Sequence, residues 1–250
     1  MRRGLLPSRT AAREAVAAGR VLVRGIPADR PATLVDEAAD LALTVGGPRW
    51  ASRAGAKLAA ALGAFAVDPA GRRCLDVGAS TGGFTDVLLG AGAASVAAVD
   101  VGYGQLDWRL RSDPRVMVFD RTNFRFADPA ALGAPFGLVV ADVSFISLRL
   151  LAPALAACGT SGTEYVVLVK PQFEVGRGEV GRRGLVTDPR LHRSALSGVA
   201  TALAESGVGP SDACPSPIAG ATGNREFFLH ARWGVPVTLD EAAVARAVEL

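Results

Sequence analysis

The chain has 250 residues, half of them apolar and 20 % charged, with a formal net charge of +3. That composition suits a well-packed soluble protein of one large domain, or of one medium and one small domain. No apolar run reaches the roughly 18 residues a membrane helix needs, and Cys74, Cys158 and Cys214 are too scattered for a disulfide framework or a zinc site.

The chain opens "MRRGLLPSRTAAREAVAAGR", without the apolar core of a signal peptide, so a reducing cytoplasm is the expected location, with no membrane and no metal. Residues 1–57 carry ten Arg/Lys against five Asp/Glu, whereas residues 58–250 carry 17 against 19. A basic arm on a near-neutral body points to a polyanion partner. "SRTAAREAVAAGR" predicts a helix from about Ser8 to Ala18, with Ser8 as N-cap and Gly19 at C′. "RVLVRG" and "LALTV" predict short strands, and Gly46, Gly47 and Pro48 predict a linker. Residues 1–48 therefore form a small α/β unit, 49–52 a linker, and 53–250 the body.

In the body, "RRCLDVG", "SVAAVDVG", "RVMVFD", "FGLVVADVSF" and "EYVVLVKP" read as strands. Helices are expected at "RAGAKLAAALG" and near residues 84–91, 105–112, 147–157 and 189–206. "ACPSPIAG" and "NREFFLHARW" predict a closing antiparallel hairpin. Near-continuous apolar strands with helical crossovers mean a doubly wound α/β fold with a mostly parallel sheet, whose ligands bind at the carboxyl ends of the strands.

The first body strand runs into "DVGASTGGFT". Gly78, Gly82 and Gly83 let the backbone turn and approach a ligand, and Asp76, Ser80, Thr81 and Phe84 complete the loop. This is neither G-x-G-x-x-G nor a Walker A loop. Asp100 ends the next strand, where a carboxylate can accept ribose hydroxyls; Asp120 ends the third, where it would meet an adenine edge. S-adenosylmethionine fits this set better than NAD, because it has a ribose, an adenine and a sulfonium but no pyrophosphate. The loop alone leaves a nucleotide oxidoreductase open.

"ADVSF" ends the fourth strand at Asp142 without the proline pair expected of amino-methylating enzymes. Cys74 and Cys158 are poorly placed for thiolate chemistry. A hydroxyl acceptor remains, and it must lose a proton as it attacks. Of the 27 basic residues only Lys57 and Lys170 are lysine, and Lys170 ends a buried strand. Arginine stays protonated, but a lysine can act as a base. A second cation nearby favours its neutral form, while Asp142 and Glu226 oppose that and orient it.

"DVGASTGGFTDVLL", "AVDVGYGQLDWRLRSDPRV", "RTNFR", "ADVSFISL", "LVKPQFEVGRGEVG" and "GNREFF" resemble the TlyA family, bacterial ribosomal-RNA methyltransferases with an FtsJ-like catalytic domain, often labelled haemolysins. The resemblance implies a Rossmann-like S-adenosylmethionine-dependent methyltransferase domain acting on a cytidine 2′-OH in 16S and 23S rRNA, within ribosomal RNA or subunits. It implies a Lys-Asp-Lys-Glu tetrad formed by Lys57, Asp142, Lys170 and Glu226. It also implies that residues 1–48 are an S4-like RNA-binding domain, short at its start, with Arg3, Ser8, Arg9, Arg20, Arg24 and Arg53 facing RNA. The competing readings are a pore-forming haemolysin and a non-catalytic RNA-binding protein.

Overall fold

The computed structural model describes residues 5–6, 8–17, 21–24, 26–28, 35–36, 38–43 and 50–249. Arg3, Arg20 and the Gly46–Pro48 linker expected above lie outside them. In the N-terminal unit α1 (Arg9–Ala17) begins where Ser8 Oγ accepts the Ala11 N–H at 3.0 Å, an N-cap contact. Strand β1 (Val21–Val23) pairs antiparallel with both β2 (Ile26–Pro27) and β3 (Leu41–Leu43). Strand β2 is too short to carry a periodic signal in sequence.

The body begins with α2 (Ala54–Ala64), followed by β4 (Arg73–Val77), α3 (Gly83–Gly90), β5 (Ser95–Val99), α4 (Trp108–Arg111) and β6 (Val116–Phe119). Then come α5 (Pro129–Leu132), β7 (Leu138–Ala141), α6 (Leu148–Ala157), β8 (Glu164–Val169), α7 (Pro171–Glu174) and α8 (Pro189–Glu205). Strands β9 (Val208–Pro215) and β10 (Phe227–Trp233) and helix α9 (Glu241–Glu249) close the chain. The sheet order is β6-β5-β4-β7-β8-β10-β9, parallel from β6 to β8 and antiparallel at β10 and β9.

Both faces of this sheet are buried, which is why its strands read as unbroken apolar runs. Leu75, Val77, Val139, Tyr165, Val167, Val169 and Phe227 face one core, packed under α6, α8 and α9. Cys74, Val96, Leu138, Val140, Val166, Leu168 and Phe228 face the other, under α2, α3 and α4. The alternation has the period of two expected of strands.

One expectation is corrected. The first strand of the final hairpin lies at Val208–Pro215 rather than over "ACPSPIAG". It is an edge strand, where Pro210 and Pro215 are tolerated. Both histidines have structural partners. His230 hydrogen-bonds Glu164 and Ser211 at the amino end of β8, and His192 Nε2 donates to the Val186 carbonyl at 2.8 Å.

Candidate active site

The carboxyl edge of the parallel strands gathers the charged residues. Gly78, Asp100, Asp120, Asp142 and Lys170 each stand one residue beyond a strand, β4 to β8 in turn for β4, β5, β6, β7 and β8. Strand β10 runs the other way, and its first residue, Phe227, pairs with Val169. Glu226 therefore sits one register step beyond that pair, opposite Lys170. Helix α2 supplies Lys57 from its buried face. That helix is seated by a glycine contact: a Cβ on Gly83 would lie 2.9 Å from the Gly55 nitrogen, too close for any side chain.

Lys57 Nζ contacts Glu226 Oε2 at 2.5 Å, and Lys170 Nζ contacts Asp142 Oδ1 at 2.5 Å. All four groups are largely withdrawn from solvent. Their charges are compensated pair by pair, as buried charges must be. Lys170 also donates to Ser144 Oγ at 2.9 Å. Behind Lys170, Pro171 starts α7, and the buried Glu174 carboxylate accepts Ser147 Oγ at 2.5 Å and the Leu148 N–H at 2.8 Å. These contacts dock α7 on the start of α6 and fix the direction in which Lys170 leaves its strand. Burial holds the Glu174 carboxyl above its ordinary range.

A cavity of about 330 Å³ opens beside this cluster, lined by Gly78, Ser80, Asp100, Gln105, Thr122, Asn123, Asp142 and Ser144 among others. A larger groove of about 690 Å³ lies between α8 and α9, but none of the strand-end residues faces it. In the smaller cavity Gly78 has φ +84°, and a Cβ there would overlap the Asp142 carbonyl. Asp100 accepts the Ser80 N–H at 2.8 Å and the Gly102 N–H at 2.7 Å, which fixes its carboxylate and leaves lone pairs for a ligand's hydroxyls.

The remaining glycine-loop residues stand apart from the cavity. Gly82, at φ +95°, packs against Leu106 and Leu110; Gly83 packs on α2; Phe84 lies in the core, 6.2 Å from the Phe228 ring. Thr81 is exposed, and its carbonyl accepts the Asp107 N–H. Asp76 is fully buried, accepts Thr85 Oγ1 at 2.7 Å, and has its carboxyl raised to about 7 by burial. Asp120 is tied to Arg111 and to the Gly104 N–H, which draws it away from the cavity; its carboxyl is lowered by the Arg111 contact. In the N-terminal unit Ser8 is spent on the helix cap, Arg9 and Arg24 are exposed, and Arg53 starts α2.

Sequence reasoning missed Ser144, Gln105, Thr122 and Asn123. Their signal was position alone: each follows closely on a strand end at the carboxyl edge. It also missed Phe145, which is 92 % exposed at φ +65°, with its ring 5.3 Å from that of Phe173. The three cysteines are unfit as nucleophiles. Burial pushes the thiols of Cys74 and Cys214 up to about 12 and that of Cys158 up to about 11.

The profile of the FtsJ-like methyltransferases matches residues 50–233, the whole of this sheet. Over its full length the chain is 50 % identical to the Mycobacterium tuberculosis 16S/23S rRNA (cytidine-2′-O)-methyltransferase TlyA, covering 92 % of that protein. The chain belongs to the TlyA family of FtsJ-like methyltransferases. A solved structure from Streptococcus thermophilus, described provisionally as a hemolysin, is 38 % identical, with a TM-score of 0.79 over 99 % of this chain and 91 % of that one. An S-adenosylmethionine-dependent methyltransferase from Mesorhizobium loti shares the fold at 17 % identity, with a TM-score of 0.50 over 69 % of this chain and 96 % of that one. The cofactor of this TlyA-family chain is S-adenosylmethionine, and the cavity's donor set fits it. Gly78 permits close approach of a ligand to the backbone, and Asp100 presents a held carboxylate to ribose hydroxyls. Among the described residues no helix is long and apolar enough to cross a membrane, and no cluster of metal-ligating side chains forms.

Proposed function

We propose that the chain methylates the 2′-hydroxyl of cytidine in 16S and 23S ribosomal RNA, with Lys170 as the general base. The observation that carries this reading is the pairing of Lys170 with Asp142, which lines the cofactor cavity, and of Lys57 with Glu226, which stands opposite Lys170 in the β8–β10 register. When bound, S-adenosylmethionine supplies an electrophilic methyl carbon on a sulfonium. Lys170 first releases one ammonium proton to solvent; its neutral Nζ then takes the proton of the ribose hydroxyl as the hydroxyl oxygen bonds to that carbon and the carbon–sulfur bond breaks. Asp142 and Ser144 hold the amine in place, and Asp142 then stabilises the ammonium that forms. The Lys57–Glu226 pair orients the hydroxyl from the opposite side, giving the alignment that methyl transfer chiefly requires.

Phe145 supports an RNA substrate. A solvent-facing ring at a strained backbone position, beside the reacting groups, offers a stacking surface to an unstacked base. The activity of the Mycobacterium tuberculosis relative, a 16S/23S rRNA (cytidine-2′-O)-methyltransferase, supports cytidine and ribosomal RNA. Residues 1–48 are in this reading an S4-like RNA-binding domain, with Arg3, Arg9, Arg20 and Arg24, together with Arg53 of the body, as its contacts to RNA phosphates. Ribosomal RNA as partner places the work in the cytoplasm. The test is to map 2′-O-methyl marks on rRNA from cells with and without this protein. Loss of cytidine marks is expected; unchanged marks together with liposome leakage by the purified chain would favour a pore-forming role.

A further inference from the structure

Glu226 is seated by a connection that the chemistry above does not use. Between β9 and β10 the chain folds back on itself: Ser216 N–H donates to the Glu226 carbonyl at 2.8 Å, and Gly220 N–H to the Asn224 carbonyl at 2.8 Å. Asn224 is 1 % exposed, and both ends of its amide are occupied. Its Oδ1 accepts the Val186 N–H at 2.8 Å, and its Nδ2 donates to the Gly184 carbonyl at 2.7 Å and to Thr222 Oγ1 at 3.0 Å.

Residues 184–186 end the glycine-rich segment that leaves α7 just after Lys170. His192 of α8 fixes the same place, donating to the Val186 carbonyl while its ring packs 5.3 Å from Phe227. Asn224 thus ties the approach to Glu226 to the segment that follows Lys170. Gly220 meets Glu226 directly. A Cβ there would overlap Oε1 and lie 3.1 Å from Cδ, so any larger residue must displace the carboxylate.

We propose that Gly220 and Asn224 are positioning residues, which hold the Glu226 carboxylate on Lys57 and across from Lys170. This rests on the assignment of Glu226 to the active site. A double-mutant cycle tests it with the full chain, ribosomal RNA and labelled S-adenosylmethionine. Gly220→Ala and Asn224→Ala are each expected to lower kcat about tenfold or more, the scale of a misplaced group. The Kd for S-adenosylmethionine is expected to stay within about threefold of wild type, a difference under ~1 kcal/mol. Placed on Glu226→Ala, neither is expected to lower kcat further, because the group they position is gone. Gly220→Ala removes no hydrogen bond, and so carries the test alone if Asn224→Ala fails to fold.

Single variants with wild-type kcat while Glu226→Ala is impaired would overturn the inference and leave the site assignment standing. Losses that multiply on the Glu226→Ala background would also overturn it, since the two residues would then act elsewhere. A fully active Glu226→Ala would overturn the assignment and the inference with it.

Discussion

Removing Lys57 or Glu226 singly should destabilise the protein, whereas removing both together should not. At 2.5 Å and an effective dielectric near 20, the attraction between the two is about 7 kcal/mol. Desolvation of several kcal/mol per ion offsets most of it, so the intact pair is close to neutral for stability. Deleting one partner leaves the other charge buried and costs about 3–5 kcal/mol, or about 6–20 °C in Tm for a chain of this size. In Lys57→Met the orphan is the Glu226 carboxylate, and in Glu226→Gln it is the Lys57 ammonium. Lys57→Met/Glu226→Leu should be near wild-type stability, within about 1–2 kcal/mol. Urea melts of the four proteins read this directly. Two small losses under about 1 kcal/mol, the range of solvated pairs, would refute it.

Gly78→Ala should abolish tight S-adenosylmethionine binding in calorimetry, because its Cβ meets the Asp142 carbonyl and its φ is positive; about 2–4 kcal/mol is expected, a loss of roughly 30-fold or more. Asp100→Ala should weaken cofactor binding about tenfold or more, whereas Asp120→Ala, held outside the cavity by Arg111, should change it by less than about threefold. Asp76, raised from 3.8 to about 7 by burial, favours the fold fully below about pH 4 and loses that contribution as pH rises through 7. Asp76→Asn should accordingly gain stability relative to wild type between about pH 4 and 8, by an order of a few kcal/mol; a constant difference in urea melts across that range would contradict the assignment.

The strands from β4 to β8 were legible because burial on both faces leaves unbroken runs of Val, Leu and Ala. Their ends were legible because Gly78 ends the β4 run, and an Asp or Lys ends each of the other four, where the chain meets the cavity edge. That placed Asp100, Asp142 and Lys170 at one edge before any coordinates. The pairing within the tetrad was not legible. It depends on the antiparallel register of β10 with β8, and on a glycine contact that lets α2 approach α3. The Asp120–Arg111 ion pair was not legible either, because Arg111 sits on a helix whose packing is a tertiary fact. Asp76 has the same sequence signature as Asp100, but it points under α3 to Thr85. In register Asp76 pairs with Ala98, two residues short of Asp100, so it lies within the sheet rather than beyond its edge.

The central claim is that Lys170 removes the ribose proton. Single-turnover methyl transfer to ribosomal RNA by Lys170→Arg tests it, with S-adenosylmethionine affinity measured on the same sample. A rate lower by about a hundredfold or more, the usual worth of a general base, with cofactor affinity within about threefold of wild type, is the predicted result. Transfer at the wild-type rate by an enzyme whose residue 170 is arginine would contradict it.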